Sequence, residues 1–225
     1  MRQSWRDLLF LHFPCDPAEI APMLPQGLEV ETFPDASGGE RAWIGLVPFM
    51  MRDVRWAFAP PVPGTHTFPE TNVRTYVHGP AGSGVWFFSL DAMSRIAVAT
   101  ARTAFALPYY FSRMTVRREG DHIRYEGRRQ AAEYVIETDL GPEIPAPQEG
   151  SLEYFLVERY RLYAARGDRL WSGEVRHPPY RLRKATVSNL RDTLAGAAGI
   201  EARPYVHAVF SEGVDVDVFP LRRVG

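Results

Sequence analysis

The sequence predicts a β-rich α+β domain, and three observations carry that reading. Short alternating or wholly apolar runs recur along the chain, most clearly at Glu70–His78 and in the VDVDVF run that ends at Phe219. Clusters of Gly, Pro, Asp and Ser separate them at short intervals. Only two or three stretches carry a helical period, and no regular strand–helix–strand alternation points to a doubly wound parallel sheet.

Taken in order, Trp5–Phe13 reads as a first strand, apolar on both faces. Asp16-Pro17-Ala18-Glu19 is a helix start, with Asp16 as cap, Pro17 at the first helical position and Glu19 completing a capping box. Gly27–Phe33 alternates and reads as a strand, Asp35–Gly39 as a turn, and Ala42–Met51 as a strand. Pro48 inside that strand requires an edge, a bulge or a kink. Arg55–Phe68 is irregular and Pro-rich, and its Trp56, Phe58 and His66 must lie over a surface or line a pocket. Glu70–His78 places Glu70, Asn72, Arg74 and Tyr76 on one face and Thr71, Val73, Thr75 and Val77 on the other. Gly79–Gly84 is a hairpin loop and Val85–Leu90 the returning strand. Asp91 or Ser94 then caps an alanine-rich helix that runs to about Ala106 and stops at Pro108.

Phe111–Val116, His122–Arg129 and Ala132–Thr138 follow as strands, then a Pro-rich loop at Gly141–Gly150. Ser151 caps a helix over 152–166 whose buried stripe is Leu152, Phe155, Leu156, Tyr160 and Tyr163, ended by Gly167. Leu170–His177 and Pro179–Val187 are strands, Asn189–Ala198 a short helix, and Tyr205–Phe210 and Gly213–Phe219 a closing pair of strands.

At 225 residues and 45% hydrophobic, with no linker of flexible composition, residues 1–225 are read as one domain. A net charge of −1 gives no global field to draw nucleic acid or an anionic membrane, and the first apolar run is too short to span a bilayer, so a cytoplasmic protein is expected. Cys15 is the single cysteine, which rules out an internal disulfide and a cysteine metal cluster, and Lys184 is the single lysine. The six histidines show no metal-site pairing, Ser89 lacks a nucleophile elbow, and no phosphate-binding loop or RNA-binding signature is present. No metal or cofactor is therefore expected.

The polar face of Glu70–His78 is the feature with chemical content. If it points into the molecule, Glu70, Asn72 and Arg74 converge on one volume, and each buried neutral group left unpaired costs roughly 2–7 kcal/mol. An internal Glu70–Arg74 bridge and a ligand site both satisfy that requirement. Tyr109 and Tyr110 either pack below a helix end or donate hydrogen bonds to a ligand; a tyrosine near an arginine acts as a general acid when its pKa is lowered. Glu158 and Arg159 read as salt-bridge partners, and His177 as a structural histidine.

FPETNVRTYV, GVWFFSLDA, ALPYY, LVERYRLY and VRHPPY together resemble the uncharacterised DUF2071, or YqjF-like, family over nearly the whole chain. That family is more distantly similar to acetoacetate decarboxylase. The resemblance implies a closed, cone-like, antiparallel or mixed β-barrel with an internal pocket and two or three packed helices. Acetoacetate decarboxylase forms a Schiff base through a lysine, and the segment matching it here is Ala106-Leu107-Pro108-Tyr109-Tyr110, with tyrosines in place of both lysines. A phenol cannot form an iminium, so Schiff-base decarboxylation is argued against. Glu70 matches the decarboxylase's pocket glutamate, Arg102 and Arg113 flank the tyrosines, and His12 falls near the position of its first-strand arginine.

The expected function is binding of a small carbonyl- or carboxylate-bearing molecule by Asn72, Arg74, Arg102, Tyr110, Arg113 and His12. The alternative is an acid–base lyase, hydratase or isomerase that uses Glu70 and Tyr109. The partner is a small molecule, with no nucleic acid or membrane, and there is room for a homo-oligomer.

Overall fold

The structure is a computed structural model that describes residues 1–55 and 67–225. The aromatic segment around Trp56, Phe58 and His66 lies outside the described residues.

β1 (Arg2–Cys15) is apolar on both faces because each face meets a different core. Leu9, Leu11 and Phe13 point to one hydrophobic cluster and Leu8 and Phe10 to another. α1 (Pro17–Ile20) is one turn long, with Asp16 accepting from the Ala18 amide. Glu19 leaves the expected box unmade and pairs with Arg203 instead. The strand expected over Gly27–Phe33 shrinks to two short pieces, β2 (Glu29–Val30) and β3 (Phe33–Pro34). β4 (Glu40–Arg55) lies between β1 and β5 (Thr67–Gly79). Pro48 therefore sits inside the sheet, opposite the interruption of the β1–β4 ladder between Arg6 and Leu11, where its missing N–H breaks no bond.

β6 (Gly82–Ala92) returns from the hairpin, and Ser94 caps α2 (Arg95–Phe105). β7 (Tyr109–Phe111), β8 (Arg113–Glu119), β9 (His122–Arg129) and β10 (Ala132–Glu143) follow. α3 (Leu152–Val157) stops at Glu158, and β11 (Arg161–Arg166) takes the place of the rest of the expected helix. The edge of β6 decides this: its Val85 and Trp86 need partners, and Leu162 and Tyr163 supply them in parallel, with β12 (Arg169–Arg176) on the other side. Because β11 is largely covered on both faces, it carries no alternation to distinguish it from a helix.

β13 (Leu182–Asp192) likewise absorbs the first part of the helix expected at Asn189, where Asn189, Leu190 and Arg191 extend the ladder to β10; only α4 (Leu194–Ala197) remains helical. Among the described residues there are thus four α-helices, where two or three were expected. The closing strand pair is one continuous strand, β14 (His207–Val218). Gly213 carries it past the bend with φ 138°, where a Cβ would come 2.2 Å from the Trp5 carbonyl. β15 (Arg222–Arg223) ends the order.

The strands join as β12-β11-β6-β5-β4-β1-β14, and pairing of Val175 with Val218 and Arg176 with Asp217 brings β14 back to β12. From β14 the sheet also runs on through β13, β10, β9 and β8. Most pairings are antiparallel; β6–β11 and β6–β7 are parallel. One core lies between the extension and the outer face of the ring, around Leu9, Tyr125, Tyr134 and Phe210. The other lies inside the ring, around Phe10, Phe49, Phe68 and Leu182.

Candidate functional site

The interior face of β5 carries Glu70, Asn72 and Arg74, as the two-residue period requires, and all three line a cavity of about 300 Å³ within the ring. The rest of its wall is chiefly apolar, with Phe10, Val47, Phe49, Phe87 and Leu90 among its members. Ile96 and Phe105 of α2 and Val54 at the end of β4 also line it. α3 approaches Arg74 through the Leu156 carbonyl.

Tyr109 reaches the cavity because α2 ends abruptly. Ala106 adopts a left-handed conformation (φ 51°), Pro108 follows, and β7 then runs parallel to β6 with Tyr109 beside Leu90. The Tyr109 hydroxyl donates to Glu70 Oε2 at 3.1 Å. Burial pushes the Glu70 carboxyl up to about 8, against the pull of the Tyr109 hydroxyl, and Asp91 adds to the rise. Glu70 is therefore largely protonated at neutral pH. Burial, and then Glu70, hold the Tyr109 phenol well above its ordinary value. This is the reverse of the lowered pKa that a tyrosine general acid needs.

Arg74 forms no bridge to Glu70. Its Nη2 donates to the Leu156 carbonyl at 2.9 Å and to the Tyr76 hydroxyl at 3.4 Å, and its guanidinium lies 5.6 Å from the ring centroids of Phe10 and Tyr76. Among the described residues it pairs with no carboxylate, and its Nε and the Asn72 Oδ1 are buried without partners. Tyr76 donates to the Leu156 carbonyl at 2.7 Å, so its oxygen accepts from His12 Nε2–H at 2.8 Å. His12 Nδ1 then accepts from His207 Nδ1–H at 3.0 Å. Burial, His207 and Arg74 all hold His12 well below its ordinary pKa, consistent with this neutral tautomer.

Of the expected site residues, Glu70, Asn72, Arg74 and Tyr109 line the cavity together. His12 is fully buried behind Arg74 and supports it through Tyr76. Arg102 is exposed and binds the Tyr109 carbonyl with Nε. The Tyr110 ring sits between Arg102 and Arg129, 5.4 and 4.2 Å from the two guanidinium carbons. Arg113 is exposed on β8. Lys184 is exposed on β13, away from the cavity.

Sequence reasoning missed the pair behind this wall. Asp91, read as a helix cap, is fully buried and accepts from Ser112 Oγ at 2.9 Å, with Arg129 Nε also at 2.9 Å. Together they fasten the β7–β8 junction and β9 to β6. The only signal was a charged residue ending an apolar strand, and nothing marked Arg129. Glu158 is also buried rather than a surface bridge, accepting from the Tyr180 amide at 2.9 Å and from the Tyr160 hydroxyl. Arg159 pairs with Glu31 at 2.7 Å. His177 stacks against Tyr160 and Tyr180.

Residues 2–215 match the DUF2071 family, described as an uncharacterized conserved protein. The uncharacterized protein YqjF of Bacillus subtilis (strain 168) is 37% identical over 229 residues, which span 99% of this chain and 92% of that protein. Among solved structures, an acetoacetate decarboxylase-like enzyme from Sphingomonas wittichii RW1 superposes with a TM-score of 0.68 at 14% identity, over 99% of this chain and 92% of that one. The enduracididine biosynthesis enzyme MppR, complexed with pyruvate, gives 0.68 at 13% identity, over 100% and 90%. Acetoacetate decarboxylase from Legionella pneumophila gives 0.66 at 11%, over 100% and 87%. At these identities the likeness is one of fold: the chain has the acetoacetate-decarboxylase-like architecture. No helix among the described residues is long and apolar enough to cross a membrane.

Proposed function

The chain belongs to the DUF2071 family, and on that premise we propose that its cavity binds a small carbonyl- or carboxylate-bearing organic molecule without forming a Schiff base. The observation that carries this is Arg74, a buried guanidinium on an apolar cavity wall with no carboxylate partner among the described residues. An uncompensated buried charge is unfavourable, and an anionic ligand supplies the missing partner. One fold neighbour is described in complex with pyruvate, a keto acid. Covalent capture through a lysine side chain has no group to perform it, because Lys184 is the only lysine, is exposed on β13 and does not line the cavity.

Binding is preferred over acid–base turnover. The cavity offers a protonated carboxyl at Glu70, but Tyr109 is tuned away from proton transfer.

The test is a thermal-shift and calorimetric screen of the full chain against small keto, hydroxy and aromatic acids. A ligand at 100 times its Kd adds about 2.7 kcal/mol of stability. Saturable binding that Arg74→Met weakens at least tenfold, with no adduct trapped by borohydride, supports the reading. Binding that is unaffected by Arg74→Met, or a borohydride-trapped adduct, refutes it.

A further inference from the structure

Resting on the binding reading above, we infer that the ligand is an elongated amphiphilic acid, its carboxylate at Arg74 and an uncharged hydrogen-bonding group at Glu70 and Tyr109.

The two polar poles of the cavity are far apart. Glu70 and Arg74 are four residues apart on β5, whose pairing with β4 runs without a shift from Thr67 to Thr75. At about 3.3 Å per residue their Cα atoms are about 13 Å apart. The side chains do not lean together to close this gap. The guanidinium is tethered to the Leu156 carbonyl, and the carboxyl to the Tyr109 hydroxyl.

A compact keto acid therefore reaches one pole and leaves the other unsatisfied. A longer acid reaches both. Between the poles the wall is apolar, with Val47, Phe49, Phe87 and Leu90, and Asn72 is the polar interruption. Apolar surface of the ligand laid against that wall is removed from water, so affinity grows with each methylene buried there. The cavity volume of about 300 Å³ stands at the small end of pockets that hold drug-sized molecules. The poles also differ in charge demand. Arg74 is a permanent cation that calls for an anion, whereas a protonated Glu70 beside a phenol calls for a neutral acceptor such as a ketone, ester or alcohol.

The test uses isothermal titration calorimetry of the full chain at pH 7 with 4-oxopentanoate, 6-oxoheptanoate and 8-oxononanoate, each beside the alkanoate of the same chain length. Affinity is expected to rise at least tenfold from the shortest to the longest keto acid. The preference for keto acid over alkanoate is expected only in the longer pairs and is expected to vanish in Glu70→Leu and Tyr109→Phe. Arg74→Met is expected to erase the preference for the longest acid over its methyl ester. Near-UV circular dichroism checks that each variant folds. Equal or tighter binding of 4-oxopentanoate, or a keto preference that persists in both Glu70→Leu and Tyr109→Phe, overturns the elongated ligand and leaves the binding reading standing. Failure of every acid to bind the unmodified chain overturns both.

Discussion

Arg74 and Tyr76, two residues apart on β5, both donate to the main-chain carbonyl of Leu156, at 2.9 and 2.7 Å. A single carbonyl of α3 thus sets the direction of the guanidinium and joins it to the buried Tyr76–His12–His207 chain. Tyr76→Phe removes the shared hydroxyl and strands the His12 Nε2–H in the interior. It is expected to cost about 1–3 kcal/mol in urea denaturation. An unchanged midpoint would show that the network does not hold β5 and α3 together.

Glu70 makes stability depend on pH in a definite direction. Its carboxyl titrates near 4.5 when unfolded and at about 8 when folded, so between those values the folded chain holds the extra proton. Its contribution is full below about pH 4.5 and is lost as pH rises through 8. At about 1.4 kcal/mol per pKa unit, the range is up to about 5 kcal/mol. Glu70→Gln is expected to flatten this fall, as measured by urea midpoints at several pH values. A slope that survives the substitution assigns the proton to another group.

His12 acts with the opposite sign. It is held neutral in the folded chain and becomes protonated when unfolded below about 6.5. Stability is therefore lost on acidification through that region. In the Glu70→Gln background, where the opposing slope is gone, adding His12→Gln is expected to reduce the acid-side loss. If the midpoint falls just as steeply with acid, His12 is not kept neutral by the fold.

Asp91 and Arg129 form a buried pair, their side chains 0% and 12% exposed. Asp91→Ala leaves the guanidinium uncompensated and is expected to cost about 3–5 kcal/mol. The double variant Asp91→Leu, Arg129→Met is expected to recover much of that loss. A single variant that costs no more than the double would mean the pair has no coupling to lose.

Gly127 faces the ring of Tyr134, whose hydroxyl is hydrogen-bonded to Thr71 Oγ1 at 2.6 Å behind the cavity wall. A Cβ at Gly127 would lie 2.3 Å from Tyr134 Cε1, so Gly127→Ala must displace a fully buried ring. A loss of about 1–3 kcal/mol in thermal denaturation is expected. Full stability would show that the ring shifts freely.

The candidate site was legible where one short segment contained it. Glu70, Asn72 and Arg74 could be placed on one face because a strand alternates strictly, whatever surrounds it. Tyr109 was legible through the resemblance and the helix-ending Pro108. Arg102 and Arg113 were drawn toward the site because they flank the tyrosine segment, and Tyr110 and His12 because the resemblance aligned them with it; none of the four is among the residues that line the cavity. Asp91 and Arg129 are 38 positions apart, and no local pattern joins them.

The sequence by itself determined the strand-rich class, the polar face of β5, the Ser94 and Ser151 caps and the absence of a second lysine, since all of these depend on composition or on neighbours within a few residues. Only the tertiary structure decided that 161–166 is a strand, that 207–218 is unbroken, that β14 returns to β12, and that Arg74 binds Leu156 instead of Glu70. In each case the deciding force was the need of a distant backbone edge or buried charge for a partner, and that need is invisible to any local window.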